Sequence, residues 1–139
     1  MVLLVDDNVL LDVLQNRQPH YEYSFNIWEL CRKGQCEGYI SVLTFADIVY
    51  IMRKEVAYNE IEVLLDKVSK VFVFAGLSFL DLEIAANMKW RDFEDAVQSS
   101  TAVRIRADYI ITRKTKDYHG SPVPAVTPEE YFKNIFEPE

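Results

Sequence analysis

"LLVDDNVLLDVL", residues 3–14, decides the fold class. An aliphatic run, Leu3 to Val5, stops at two adjacent aspartates, Asp6 and Asp7, and an asparagine, Asn8. A short continuous apolar run closed by polar residues reads as a buried strand, here Met1 to Val5. The pattern then changes to helical spacing from Val9 to Leu14, with Asp7 or Asn8 placed to cap it.

The same alternation continues along the chain. After a helical stretch that runs to about Lys33, Gly34 and Gly38 bracket a turn, and Tyr39 to Leu43 reads as a second strand. Thr44 is placed to cap a helix from Phe45 to about Glu55. "YNEIEVLLDKVSK" is an amphipathic helix, "VFVFAGL" a third strand, and "SFLDLEIAANMK" a helix capped by Ser78. "DFEDAVQSSTAVRIRA" is a longer helix and Tyr109 to Thr112 a fourth strand. Lys114 to Pro124 is a loop marked by Gly120, Pro122 and Pro124. Val123 to Val126 is at most a short edge strand, because proline sits badly inside a sheet. Thr127 and Pro128 open a last helix. Strands alternating with helices predict an α/β sandwich with a mostly parallel central sheet of four to five strands. No linker or repeat interrupts residues 1–139, so one domain is expected.

Composition bounds the function. Half of the residues are hydrophobic, enough for a sizeable core. There is no apolar run of about 18 residues and no basic, cleavable leader pattern, so a cytoplasmic protein without a membrane span is expected. Cys31 and Cys36, without further Cys or nearby His, read as reduced thiols. The net charge of −7 argues against a broad grip on phosphate backbones. Yet Arg104, Arg106, Arg113, Lys114 and Lys116 fall in one region. They form either a solvated face or a local phosphate-facing rim.

Ligands of parallel sheets gather beyond the carboxyl ends of the strands. Past the first strand come Asp6, Asp7 and Asn8; past the second, Thr44 and, one turn on, Asp47; past the fourth, Thr112, Arg113, Lys114 and then Asp117. Asp92 and Asp95 lie three apart and share a helix face. Carboxylates that converge repel unless a cation neutralises them, and hard cations such as Mg²⁺ and Mn²⁺ take oxygen ligands. Each acid also has a plainer reading. Asp92 is a natural N-cap, Asp95 favours the helix dipole, and Asp117 is a solvated loop residue. Asp95 and Asp47, however, stand among apolar neighbours, and a buried acid needs a reason.

Taken together, "VDDNV", "GYISVLTFADIVYIMRK", "DFEDA", "ADYIITR", "KDY" and "TPEEY" resemble the PIN-domain family, and the bacterial group within it, from Met1 to about Phe136. The resemblance implies a PIN-like three-layer α/β/α sandwich and an acidic pocket holding one or two Mg²⁺ or Mn²⁺ ions. It implies cleavage of single-stranded RNA, as the ribonuclease toxin of a toxin–antitoxin pair, by a homodimer held by a small antitoxin. It assigns Asp6, Asp47 and Asp95 as metal ligands and Asp92 as a further catalytic acid. Asn8, Thr112 and Asp117 would support the site, and Arg113, Lys114 and Lys116 would steady the RNA. Asp7 stands where relatives have Thr and is not a principal ligand. Asp47 stands where Glu is more usual. The fourth acidic position is a departure: it is Lys114, which while charged cannot ligate a metal.

Two rival readings remain. A non-catalytic PIN scaffold that binds RNA or a partner is favoured by Lys114 and Asp47. A receiver-type phosphorylation switch also opens with paired aspartates, but it needs an acid directly after the third strand. "VFVFAGL" offers none, and Asp81 lies inside the next helix. Tyr21, Tyr23, Phe25 and Trp28 cluster on the early helices, where core packing competes with a partner-facing role.

Overall fold

A computed structural model describes residues 1–138. Its strands are β1 (Val2–Val5), β2 (Glu37–Ser41), β3 (Val73–Ala75), β4 (Tyr109–Ile111) and β5 (Ala125–Val126). They form one sheet in the order β3-β2-β1-β4-β5, and every neighbouring pair is parallel. The chain builds outward from β1 to β2 and β3, then returns to the other side of β1 for β4 and β5. The strand order therefore reverses between β1 and β4, which opens a crevice beyond their carboxyl ends.

Among the described residues seven α-helices cover the sheet: α1 (Asp7–Leu14), α2 (Tyr21–Arg32), α3 (Val42–Ile51), α4 (Ile61–Ser69), α5 (Phe79–Met88), α6 (Phe93–Arg104) and α7 (Pro128–Asn134). Side chains alternate across a strand, and the alternation sorts the core into two faces. Leu3, Val5, Ile40 and Ile111 pack with Leu10, Ile27, Ile48, Val68 and Tyr131 of α1, α2, α3, α4 and α7. Leu4 and Ile110 point the other way, onto Ala102 of α6 and Tyr118. The result is the three-layer sandwich predicted from the sequence. Leu3, Leu4 and Val5 are all fully buried, and each contributes about 1.5–3 kcal/mol by leaving water. A strand buried on both faces has no polar alternation, which is why "LLV" is continuous.

The element ends moved where side chains cap. Ser41, not Thr44, opens α3: its hydroxyl accepts from the Leu43 N–H at 3.1 Å, so β2 ends at Ser41 and the helix begins three residues early. That helix stops at Ile51 rather than near Glu55. Asp6, not Asp7 or Asn8, caps α1, through its own carboxylate and the Asp7 N–H at 2.9 Å. Ser78 caps α5 in a reciprocal capping box with Asp81, and Thr127 caps α7. Gly34 ends α2 at φ +76°, a conformation glycine adopts without a Cβ penalty. Both cysteines are buried free thiols, and burial, with Cys36 beside it, pushes the Cys31 thiol up to about 12. Of the early aromatics, Trp28 is core, edge-on to Phe72. Tyr21 stacks on Phe25, and both are half-buried, as is Tyr23.

Candidate functional site

Asp6 leaves β1 at the crevice, where its backbone N–H donates to Ile111 O of β4 at 2.9 Å. Its carboxylate is 5% exposed. Five protein groups donate to it. Oδ1 accepts from the Asp7 N–H at 2.9 Å and Gln98 Nε2 at 3.3 Å. Oδ2 accepts from Thr112 Oγ1 at 2.8 Å, Asn8 Nδ2 at 3.2 Å and Tyr118 Oη at 3.3 Å. Asn8 also donates to Thr112 at 3.1 Å and accepts the Arg113 N–H at 3.0 Å. The amide and hydroxyl thus lock the end of β1 to the end of β4 around one carboxylate.

Asp95 faces Asp6 from the first turn of α6. The Asp95 N–H donates to Asp92 Oδ1 at 3.2 Å, so Asp92 is the N-cap of that helix and is itself exposed. Asp95 Oδ1 accepts from Tyr118 Oη at 3.2 Å and lies 3.4 Å from the Lys114 ammonium. Its Oδ2 is buried without a hydrogen-bond partner among the described residues. Tyr118 thereby bridges the two acids, one from β1 and one from α6.

Asp6, Asp7, Asp47, Glu94, Asp95 and Lys114 line a small pocket, with Thr44, Gln98 and Tyr118. Its 30 Å³ holds about one water or one ion. Five carboxylates face one ammonium there, and the ionisation equilibria carry the strain. Burial, with Asp6 next to it, pushes the Asp7 carboxyl up to about 6. Burial raises Asp95, the Lys114 charge pulls against it, and Asp92 and Asp6 add to the rise. Burial and then the neighbouring Asp47 raise Glu94. Lys114 is held above its ordinary value by Asp6 and Asp95, against the burial that lowers it.

The donor set is one a hard divalent cation uses: carboxylate oxygens, without thiol or imidazole. An unpartnered buried carboxylate oxygen is costly, and Asp95 Oδ2 is such an atom. The residues therefore fit a divalent cation in charge and chemistry. Among the described residues no three acidic, His or Cys side chains yet close on a single point. Lys114 and Tyr118 already engage Asp95 Oδ1, and Tyr118 also reaches Asp6.

Not every residue singled out from the sequence arrives here. Arg113 is turned away: Nε and Nη2 donate to Asp12 Oδ2 and Oδ1 at 2.8 and 2.9 Å, a bidentate pair with an aspartate that is 0% exposed. Its guanidinium is spent within the fold. Lys116 and Asp117 lie outside the acid pocket, with Asp92, on a neighbouring groove of 640 Å³ lined also by Trp90, Arg91, Phe93 and His119. Glu94 lines both spaces. Tyr118, Gln98 and Glu94 line the pocket without having been singled out from the sequence, and Asp7, set aside there as not a principal ligand, lines it too. Gln98 had a signal, three residues past Asp95 on the same helical face. Tyr118 had none, because the short 3₁₀ turn Thr115–Tyr118 decides that the tyrosine, and not Asp117, points inward. The receiver alternative fails on position: β3 ends at Ala75 and runs into Gly76, and Asp81 is engaged by Ser78 and Arg104.

A similar fold occurs in solved structures. A chain of a toxin–antitoxin complex from Klebsiella pneumoniae is 24% identical, with a TM-score of 0.69 over 91% of this chain and 97% of that one. A chain of VapBC2 from Rickettsia felis, bound to a DNA fragment from its promoter, is 16% identical, with a TM-score of 0.69 over 91% and 98%. A chain of VapBC-1 from nontypeable Haemophilus influenzae is 13% identical, with a TM-score of 0.69 over 93% and 99%. At these identities the likeness is one of fold. No curated protein matches the sequence. The family model described as "PIN domain" matches residues 2–116, which span the crevice from β1 to the turn after β4. The chain belongs to the PIN-domain family.

Proposed function

We propose that this chain is a cytoplasmic ribonuclease that hydrolyses phosphodiester bonds of single-stranded RNA with Mg²⁺ or Mn²⁺. We place it as the toxin of a toxin–antitoxin pair, acting as one domain. The observation that carries the reading is the buried oxygen of Asp95 that has no hydrogen-bond partner among the described residues, in a pocket of five carboxylates with Asp6. Asp6, Asp95 and Asp47 would hold the cation. A divalent cation there supplies Lewis acidity toward a phosphodiester and its attacking water.

The chain's own residues do the rest. Thr112, Asn8 and Gln98 hold Asp6 in one orientation, so its charge is aimed before substrate arrives. Asp92 caps α6 and thereby sets the turn that carries Asp95. Lys114 at the pocket mouth and Lys116 on the adjoining groove are the cations that can meet an RNA backbone, while Asp117 edges that groove. Arg113, tied to Asp12, serves the fold in this reading. The fold shared with a chain of the Klebsiella pneumoniae toxin–antitoxin complex supports a small antitoxin partner. The exposed apolar side chains of α5, Phe79, Leu80 and Ile84, support a partner-binding face, including one for a second copy.

The test is cleavage of a single-stranded RNA with Mn²⁺, by the natural chain and by Asp6→Asn. The substitution should abolish cleavage while circular dichroism keeps the folded signal. Undiminished cleavage by Asp6→Asn would sink the assignment. The scaffold reading keeps one specific observation in its favour: an ammonium already sits against Asp95.

A further inference from the structure

Lys114 stands where the family resemblance leads one to expect an acid, and the structure shows what it does there. Its Nζ lies 3.4 Å from Asp95 Oδ1. Its backbone is held as well: the Lys114 N–H donates to Thr112 Oγ1 at 3.0 Å, and the same hydroxyl donates to Asp6. The ammonium is therefore delivered by the β4 end to the acids of β1 and α6. The space left beside it is 30 Å³, room for about one ion. The Lys114 side chain is 43% exposed, so it can swing out to solvent without opening the core. Asp95 is 5% exposed and cannot follow it.

We propose that Lys114 is a resident counter-ion of the acidic pocket, and that a divalent cation binds Asp6 and Asp95 only by displacing its ammonium. A divalent cation on Asp95 Oδ2 would stand within a few ångströms of an ammonium on Oδ1 of the same carboxylate, and two cations so close repel strongly. The lysine thus neutralises part of the carboxylate charge in the metal-free protein and weakens metal binding. This rests on the reading of the pocket as a cation site.

The experiment is calorimetric titration of Mn²⁺ into the full chain, alongside thermal unfolding with and without Mn²⁺. Lys114→Met removes the charge and keeps the length. It should bind Mn²⁺ at least tenfold more tightly than the natural chain, melt lower without metal, and gain more from Mn²⁺. Lys114→Arg keeps the charge and should bind as weakly as the natural chain. Asp95→Asn added to Lys114→Met should abolish the gain, which places the ion at this pocket. Equal or weaker Mn²⁺ binding by Lys114→Met, with binding lost in Asp6→Asn, overturns the displacement and leaves the nuclease reading standing. No Mn²⁺ binding by any variant overturns both.

Discussion

Removing the Arg113 guanidinium with Arg113→Leu should cost this protein about 3–4 kcal/mol of stability, the lower part of the roughly 3–5 kcal/mol for breaking a buried ion pair, because Arg113 is itself partly exposed. Asp12 is 0% exposed, and its carboxylate is met by Arg113 through two hydrogen bonds and by Ser24 Oγ at 2.8 Å. Without the guanidinium only Ser24 remains. Urea unfolding at pH 7 reads the loss directly, and the melting temperature should fall by about 10 °C for a chain of this length. Asp12→Leu combined with Arg113→Leu removes both charges and should recover most of the loss, since apolar replacement of a buried pair is often neutral. A loss under about 1 kcal/mol would refute the reasoning, since breaking a buried pair costs more. So would a double variant no better than the single one. If Arg113→Leu kept its stability but lost RNA affinity, Arg113 would belong to the substrate after all.

Other perturbations separate further parts of the structure. Tyr118→Phe keeps the ring edge-on to Trp90 at 6.1 Å but withdraws the hydroxyl from Asp6 and Asp95. It should cost about 1–2 kcal/mol in urea unfolding, because the single hydroxyl proton shared between two buried carboxylates is lost; no change would mean the bridge carries no energy. Gly38→Ala would set a Cβ 2.5 Å from Cys31 Sγ and 2.8 Å from Phe72 Cδ1, an overpacking penalty of about 2–3 kcal/mol, and a neutral result would show that the helix beside β2 can give. Arg104 and the Ser78 backbone N–H hold the Asp81 carboxyl below its usual range, against the burial that raises it. A depressed folded-state value means stability that is present above the ordinary aspartate range and lost as pH falls through it. Arg104→Met should therefore destabilise near neutrality by about 1 kcal/mol, discounted because Arg104 is partly solvated, and the gap from the natural chain should close toward pH 3. A gap independent of pH would point to lost packing instead.

How far the site could be read from the sequence depended on what each residue needed. Asp6 and Asp95 were legible because a strand end and a helix start are local features, and each acid followed one. Asp92 was legible in its plainer role, as the cap the structure shows it to be. Arg113 was not, because its partner Asp12 lies 101 positions earlier and is brought to it only when β4 lies beside β1. Thr44 was misread as a cap because Ser41, three residues before it, has the same chemistry. Capping preference names residue types but does not choose between neighbours.

The sequence by itself determined the layers. Uninterrupted apolar runs, helical stripes and capping residues are short-range facts, and alternating strands with helices leaves a parallel sheet as the economical way to bury both. It also marked the crevice, since acids gather at the strand ends. What only the tertiary structure decided is how the charges share that crevice. One 3₁₀ turn places Tyr118 between the two acids, the hydroxyl of Thr112 ties the Lys114 backbone to Asp6, and the ammonium comes to rest against Asp95 while the other oxygen of that carboxylate is left without a partner. Those pairings join residues far apart in the chain at separations of 3–4 Å, where electrostatic energy changes steeply with distance. No local pattern of residue types carries that information.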